Sequence, residues 1–343
     1  MDQRKQQVLQ AIVKLYTSDG EPIGSHLLSE YMDLAVSTAT LRNEMAALTR
    51  LGLLEQPHTS AGRVPSGAGY RYYIDHLMGA APLDARQRAE VDERFAAFDY
   101  DPPKLVQSAA RALSEQTGLM VAATTPRAED IRIAHFQITQ VGQHTAAVLA
   151  VTSAGGVLTR VARTGEELSA QDVRLAQTLI NRALAFLTPA DLSPALLQGL
   201  QLAFDGRSGC LMPVARAAYL LVQEAGNAVT AVEGIAHLLR YPETAACLGS
   251  LLEFGSDQAR LARGIIPADD KLAVTLGGDD DASLPEGVAV MAHRYMAGNG
   301  LRGGIAIIGP ERMPYGRLSP LLEYYALRLG QAMTTGRSTA RQG

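Results

Sequence analysis

Tryptophan is absent from these 343 residues, aromatics make up 5%, and there are only two cysteines. A core must therefore be filled by Leu, Ala, Val and Ile, packed by volume and shape rather than by stacked rings. Cys210 and Cys247 belong to no Cys-x-x-Cys pair and have no His at ligand spacing. Two lone buried thiols in a reducing compartment is the simpler reading, a single disulfide the alternative. No long hydrophobic run exists. The longest, near 146–151 and 305–308, fall far short of the ~20 residues a membrane-spanning helix needs. Met1-Asp2-Gln3-Arg4-Lys5 leads into an amphipathic pattern without an apolar signal-peptide segment. These absences point to the cytoplasm and away from membranes. A strong charge of either sign is also missing: the net charge of −4 carries no overall signature of a nucleic-acid binder.

Catalytic patterns are equally scarce. There is no GxxxxGK[ST], no GxGxxG between a strand and a helix, no HExxH and no GxSxG. His135, His144, His237 and His293 share no spacing. Asp279-Asp280-Asp281 lacks the spacing of a calcium loop and reads as a solvated acidic loop. Gly303-Gly304 reads as a tight turn into a strand. No enzyme activity, no metal and no cofactor is expected.

At roughly 100–200 residues per domain, two or three domains are expected. Apolar spacing predicts a helix over 3–18, broken by Gly20 and Pro22, and a short helix capped by Ser25. A third helix, capped by Ser37, carries Leu41, Met45 and Leu48 as its buried stripe and stops at Gly52. Strand-like Leu53–Gln56 and Arg63–Pro65 flank a loop, and a helix over 67–78 follows. The segment 79–102 reads as a linker with a polar helix in it. Beyond it come a helix over 105–116, strands at 119–123, 131–139, 145–152 and 157–164, and helices over 169–187, 193–203 and 213–225. Ser153-Ala154-Gly155-Gly156 supplies a hairpin turn between two of these strands. A strand near 228–233, a helix over 243–262, strands at 272–276, 288–294 and 304–308 and a helix over 317–333 complete the order. The tail 336–343 reads as disordered.

The third helix is the most informative stretch. Its open face carries Ala39, Arg42, Asn43, Ala46 and Arg50. The alanines keep that face slim enough for a major groove. Arg matches guanine O6 and N7, and Asn matches adenine N6 and N7, each with two hydrogen bonds. Ser37, Thr38 and Thr40 crowd the helix N-terminus, where hydroxyls, N–H groups and the dipole favour phosphate. His58, Thr59, Ser60 and Arg63 in the following hairpin suit phosphate or minor-groove contact, and Arg71 follows in the next helix. The plainer reading of each is a solvated surface. Over residues 1–78 seven basic side chains (Arg4, Lys5, Lys14, Arg42, Arg50, Arg63, Arg71) meet eight acidic ones (Asp2, Asp19, Glu21, Glu30, Asp33, Glu44, Glu55, Asp75), a net −1. Few phosphate contacts per subunit then follow, and affinity requires two copies on an inverted repeat.

"YTSDGEPIGSHLLSE", "STATLRNEMAALTRLGLLEQPHTSAGRVPSGAGYRYYID" and "GGIAIIGPERMPYGRLSPLLEYY" resemble the HrcA family of bacterial heat-inducible transcription repressors, nearly end to end and in the family's order. The match is looser over roughly 125–270, where "GIAHLLRYPET" has Thr in place of the usual aromatic and "LGGDDDASLPEG" is more acidic than the family's version. The resemblance implies an α+β multidomain fold: an N-terminal winged helix-turn-helix, a GAF-like α+β domain and an inserted α+β dimerisation domain. On this chain these would be 1–78, then 103–130 with 236–335, and 131–235. It further implies a homodimer that binds an inverted-repeat operator in double-stranded DNA upstream of chaperone operons, is inactivated on heat stress and depends on the GroEL chaperonin. The alternative is a ligand-gated transcriptional regulator with a metabolite site in the GAF-like domain.

Overall fold

Asp2 caps the first helix through its side chain, which accepts the Lys5 amide, and Gly20 closes it in the left-handed conformation at φ +73°. The computed structural model describes residues 1–32, 37–58, 61–79, 82–99, 101–127, 131–153, 156–225, 228–256, 261, 264–279 and 284–335. The first helix, α1, spans Gln3–Asp19; α2 spans Ser25–Met32 and α3 Thr38–Arg50. Strands β1 (Leu54–Glu55) and β2 (Val64–Pro65) pair antiparallel. Ser25 is the first residue of α2 rather than its cap. Helix α4, Gly67–Tyr72, widens into a π-helical turn over Tyr73–Leu77, closed by the Met78 amide donating to the Tyr73 carbonyl at 2.7 Å. Val8, Ile12, Leu28, Leu41, Leu48 and Leu54 are fully buried and form the core of this segment. Gly69 allows α4 to lie on β1, since a Cβ there would sit 2.0 Å from the Leu53 carbonyl oxygen.

The segment read as a linker is built into the body. Helix α5, Ala85–Ala96, starts with a capping box between Asp84 and Gln87. Its Val91 and Phe95 are fully buried. Phe95 meets Tyr325 edge-on at 5.6 Å, and Asp92 accepts hydrogen bonds from Tyr324 and Arg328, both at 2.8 Å. Two apolar positions one turn apart suffice to dock a helix whose remaining surface is charged.

The chain divides into two compact units: 127–228 with 299–301, and all that flanks it, 1–126 with 229–298 and 302–343. The flanking unit continues with α6 (Pro102–Thr117) and β3 (Met120–Thr124). The inner unit is a sheet β4-β5-β6 of Ile133–Gly142, Thr145–Thr152 and Val157–Arg163, backed by α7 (Ala170–Leu184), α8 (Pro194–Ala203) and α9 (Ser208–Ala225). One sheet face buries Phe136, Ile138, Val148 and Ala150 against Ile180, Val214 and Leu221 of the helices. Helix α9 begins before the expected position, with Pro213 inside it. Of the hairpin turn read at 153–156, residues 154 and 155 lie outside the described residues. The Asp172 carboxylate takes two hydrogen bonds from Arg207, at 2.8 and 2.6 Å, and caps α7 with Ser169. The Arg207 guanidinium, aided by Ser169, holds this carboxyl well below the usual carboxylate range. Cys210 is buried and Cys247 half-buried, both as free thiols.

In the flanking unit, β7 (Thr230–Glu233), β8 (Ala273–Leu276), β9 (Val288–Met296) and β10 (Arg302–Pro310) join β3 in an antiparallel sheet of order β7-β3-β10-β9-β8. The strand near 228–233, assigned by sequence to the insertion, thus belongs here, because β3 lacks a partner on that side until Val121 pairs with Glu233. The helix expected over 243–262 is broken at Ala246-Cys247 into α10 (Pro242–Ala245) and α11 (Leu248–Ser256), and Leu261 is helical again. One sheet face packs Met120, Ala122, Val290 and Ile308 on Leu238, Leu251 and Ile265. The C-terminal helix α12 (Tyr315–Thr335) contacts β9, β10 and α6. A strand buried on both faces reads as an unbroken apolar run, which is why "GGIAIIG" does not alternate. Gly303 and Gly304 lie inside β10 rather than in a turn. A Cβ on Gly303 would meet the Tyr295 ring at 2.3 Å, and one on Gly304 the Ile265 carbonyl oxygen at 2.1 Å.

Glu311 follows β10. Burial first, then the Asp279, Glu286 and Glu55 carboxylates, push it up to about 7. The folded chain therefore retains a proton that the unfolded chain releases near 4.5, and this stabilisation is lost as pH rises through about 7. Thermal unfolding of Glu311→Gln, which cannot ionise, is expected to gain on wild type steadily from about pH 5 to about pH 8. A constant difference across that range would remove Glu311 as the source.

Candidate nucleic-acid interface

Helix α3 forms because Ser37 accepts the Thr40 amide at its start, at 3.2 Å, and Gly52, at φ +72°, reverses the chain at its end. There the Leu53 amide donates to the Leu48 carbonyl and the Gly52 amide to that of Thr49, both at 3.0 Å, the paired bonds of a Schellman stop. Leu41, Met45 and Leu48 are buried as the spacing predicts. Ser37, Thr38, Ala39, Arg42, Asn43 and Arg50 are exposed and Thr40 is half-buried. Glu44 is not on offer to an incoming ligand, because Lys5 of α1 pairs with it at 3.2 Å.

The hairpin is tied to the turn before α2. Ile23 and Arg63 exchange both backbone hydrogen bonds, each at 2.9 Å. Gly62 permits this approach, since a Cβ would lie 2.4 Å from the Ile23 carbonyl carbon and oxygen. Arg42 Nε donates to Ser25 Oγ at 3.1 Å, and Arg63 Nε to Thr49 Oγ1 at 3.1 Å. Between α2, α3 and the hairpin opens a cleft of about 380 Å³, lined by Ser25, Arg42, Met45, Gly62 and Arg63 among others. Arg42 and Arg63 thus face the same opening although 21 positions separate them in sequence. His58 is exposed. Thr59 and Ser60 lie outside the described residues.

Arg71 stands apart from this group. Its Nη1 donates to the Val274 carbonyl at 2.8 Å and its Nη2 to Asp279 at 2.6 Å, which commits it to the edge strand of the five-stranded sheet. Next to it, Tyr70 is buried 6.4 Å from the Tyr315 ring, and Gly316 packs against the Gly79 carbonyl. Sequence reasoning missed this use of Arg71, because its partner is 208 residues away. It also passed over Ser25, Thr49 and Ile23. The signal for Ile23 and Ser25 was the "GEPIGS" stretch, 20–25; Thr49 lies outside it.

The arrangement offers two orientated guanidiniums, an exposed Asn and a row of hydroxyls at a helix N-terminus, the donor chemistry that suits base edges and phosphates. No helix among the described residues is long and apolar enough to cross a membrane. The model for the HrcA protein C terminal domain matches residues 103–318. Relatives named heat-inducible transcription repressor HrcA align along almost the whole chain. That of Symbiobacterium thermophilum is 31% identical over 96% of this chain and 98% of its own length. That of Desulforudis audaxviator is 29% identical over 97% and 98%. A crystal structure of a hypothetical protein, 24% identical, shares the fold with a TM-score of 0.63 over 98% of this chain and 99% of its own. The class these relatives define is that of transcription repressors. The chain belongs to the HrcA family.

Losing the Ser37 hydroxyl, as in Ser37→Ala, is expected to cost about 1 kcal/mol and to fray the first turn of α3. Gly62→Ala is expected to cost more, since the added Cβ separates Ile23 from Arg63. Amide hydrogen exchange at Ile23 and Arg63 checks this: exchange there should quicken in Gly62→Ala and stay slow in Ser37→Ala.

Proposed function

We propose that this chain is a cytoplasmic, non-enzymatic transcription repressor whose residues 1–78 act as a winged helix-turn-helix reader of double-stranded DNA. The observation that carries the proposal is the exposed Arg42–Asn43 pair on a helix whose other face is buried, with Arg63 of the hairpin across one cleft. In this reading α3 enters the major groove, Arg42 reads guanine and Asn43 reads adenine. The hairpin, with His58 and Arg63, lies along the sugar-phosphate chain and supplies register rather than sequence. Thr38 and Ser37 meet a phosphate at the helix N-terminus.

Two copies are required. With Glu44 paired to Lys5 and Arg71 committed to Asp279, few cations per chain remain for phosphate. A homodimer on an inverted repeat doubles them and matches operator symmetry to protein symmetry. The unit 127–228 supports this pairing: the outward face of its three-stranded sheet exposes Val141, Val157 and Val161, each 59–61% accessible. Large apolar side chains exposed on one sheet face suit an association site. The names of the relatives, heat-inducible transcription repressors, support control by heat; chaperone operons as the targets are what the family resemblance implies. Dependence on the GroEL chaperonin for folding fits a chain of mean hydropathy +0.01 and net charge −4, which has little charge to keep its open forms apart.

Gel shifts on an inverted-repeat duplex and on a scrambled duplex of equal length test the reading. Arg42→Ala and Asn43→Ala should each remove roughly 1–3 kcal/mol of discrimination between the two. Arg63→Ala should weaken both by a similar factor. Unchanged discrimination in the first two variants would refute the groove assignment. Sedimentation of Val161→Glu should give monomer where wild type gives dimer, together with a collapse of operator affinity.

A further inference from the structure

Both arginines of the cleft are held by a hydroxyl from a neighbouring element. Ser25, at the start of α2, accepts from Arg42 Nε, and Thr49, in the last turn of α3, accepts from Arg63 Nε. The Thr49 hydroxyl hydrogen is already given to the Met45 carbonyl at 2.9 Å, so its oxygen can meet Arg63 only as an acceptor. A guanidinium carries five N–H donors in one plane. On Arg42, using Nε leaves the two terminal nitrogens, the end-on fork that spans two acceptors of guanine. On Arg63, Nη1 also donates to the Gly62 carbonyl at 3.5 Å, which leaves Nη2 for a phosphate oxygen. The backbone beneath each arginine is equally fixed: Arg42 lies within α3, and Arg63 is pinned to Ile23 through two hydrogen bonds.

We propose that Ser25 and Thr49 are positioning residues for DNA recognition, setting the planes of the Arg42 and Arg63 guanidiniums before DNA arrives. The inference rests on the DNA-reading function proposed above and deepens it. Ser25 acts through Arg42 and so serves discrimination between bases. Thr49 acts through Arg63 and so serves grip on the backbone. A long side chain that must be ordered on binding loses rotamer freedom. Removing either hydroxyl should therefore weaken what its arginine does by about two- to tenfold. A purely structural role, bracing α2 against α3 or α3 against the hairpin, would lower thermal stability and leave the preference for one DNA sequence intact.

The test uses the full-length protein and a duplex carrying the inverted repeat that wild type selects from a random-sequence pool, beside a scrambled duplex. Ser25→Ala should lower affinity for the selected duplex about two- to tenfold, with the scrambled duplex unchanged. Ser25→Thr, which keeps the hydroxyl, should restore it. In an Arg42→Ala background, Ser25→Ala should have no further effect. Thr49→Val should weaken both duplexes alike, and Thr49→Ser should recover them. Wild type that selects a sequence while Ser25→Ala discriminates equally well overturns the positioning role and leaves the DNA reading standing. So does a Ser25→Ala loss that persists without Arg42. Wild type that selects no sequence and binds no duplex overturns the DNA reading itself and this inference with it.

Discussion

Two backbone hydrogen bonds between Ile23 and Arg63 organise the cleft between α2, α3 and the hairpin. They join the turn before α2 to the hairpin, so that three stretches distant in sequence share one cleft. The exchange is possible because Gly62 has no Cβ to hold the strands apart. Once it forms, Arg63 comes within reach of Thr49, and Ser25 is carried to Arg42. The hydrogen-bonded pair thus converts a hairpin with only two residues per strand, too short to be stable alone, into a fixed wall.

Charge is used sparingly and with direction. Lys5 is spent on Asp2 and Glu44 inside the helical segment, and Arg71 on the edge of the five-stranded sheet. The arginines that remain at the cleft are presented with their orientation already set. A surface built in this way depends on the geometry of a few orientated groups rather than on a broad positive field. The same Arg71 contact, with Tyr70 against Tyr315, ties the end of the helical segment to the start of α12. Glu311, Asp279, Glu286 and Glu55 are electrostatic neighbours at this joint, so it carries buried acid as well as aromatic packing.

Much of the helical segment was legible from apolar spacing. The stripe of Leu41, Met45 and Leu48, the Ser37 cap and the Gly52 stop are local properties of sixteen consecutive residues, and the structure has each in place. Legibility failed where a residue's environment comes from elsewhere in the chain. Val91 and Phe95 look like two apolar positions in a charged stretch, yet Phe95 meets Tyr325 edge-on. Gly303-Gly304 looks like a turn, yet it pairs with β9 as strand, and glycine stands there because Tyr295 and the Ile265 carbonyl leave no room for a Cβ. The strand Thr230–Glu233 follows the insertion in sequence but finds its partner in β3, more than 100 residues earlier. Arg71 sits among the basic residues of the N-terminal 78 in sequence and is bonded to Val274 and Asp279 in space.

The amino-acid sequence by itself determined most of the helices and strands, where the third helix begins and ends, and that an Arg-Asn pair would occupy its open face. These follow from periodicity, capping and backbone restriction, all of which act over a few residues. Only the tertiary structure decided which hydroxyl faces which guanidinium, which arginine stays at the cleft, and which strand joins which sheet. Those outcomes depend on close approach between segments far apart in the chain, and close approach is settled by packing, which no local pattern records.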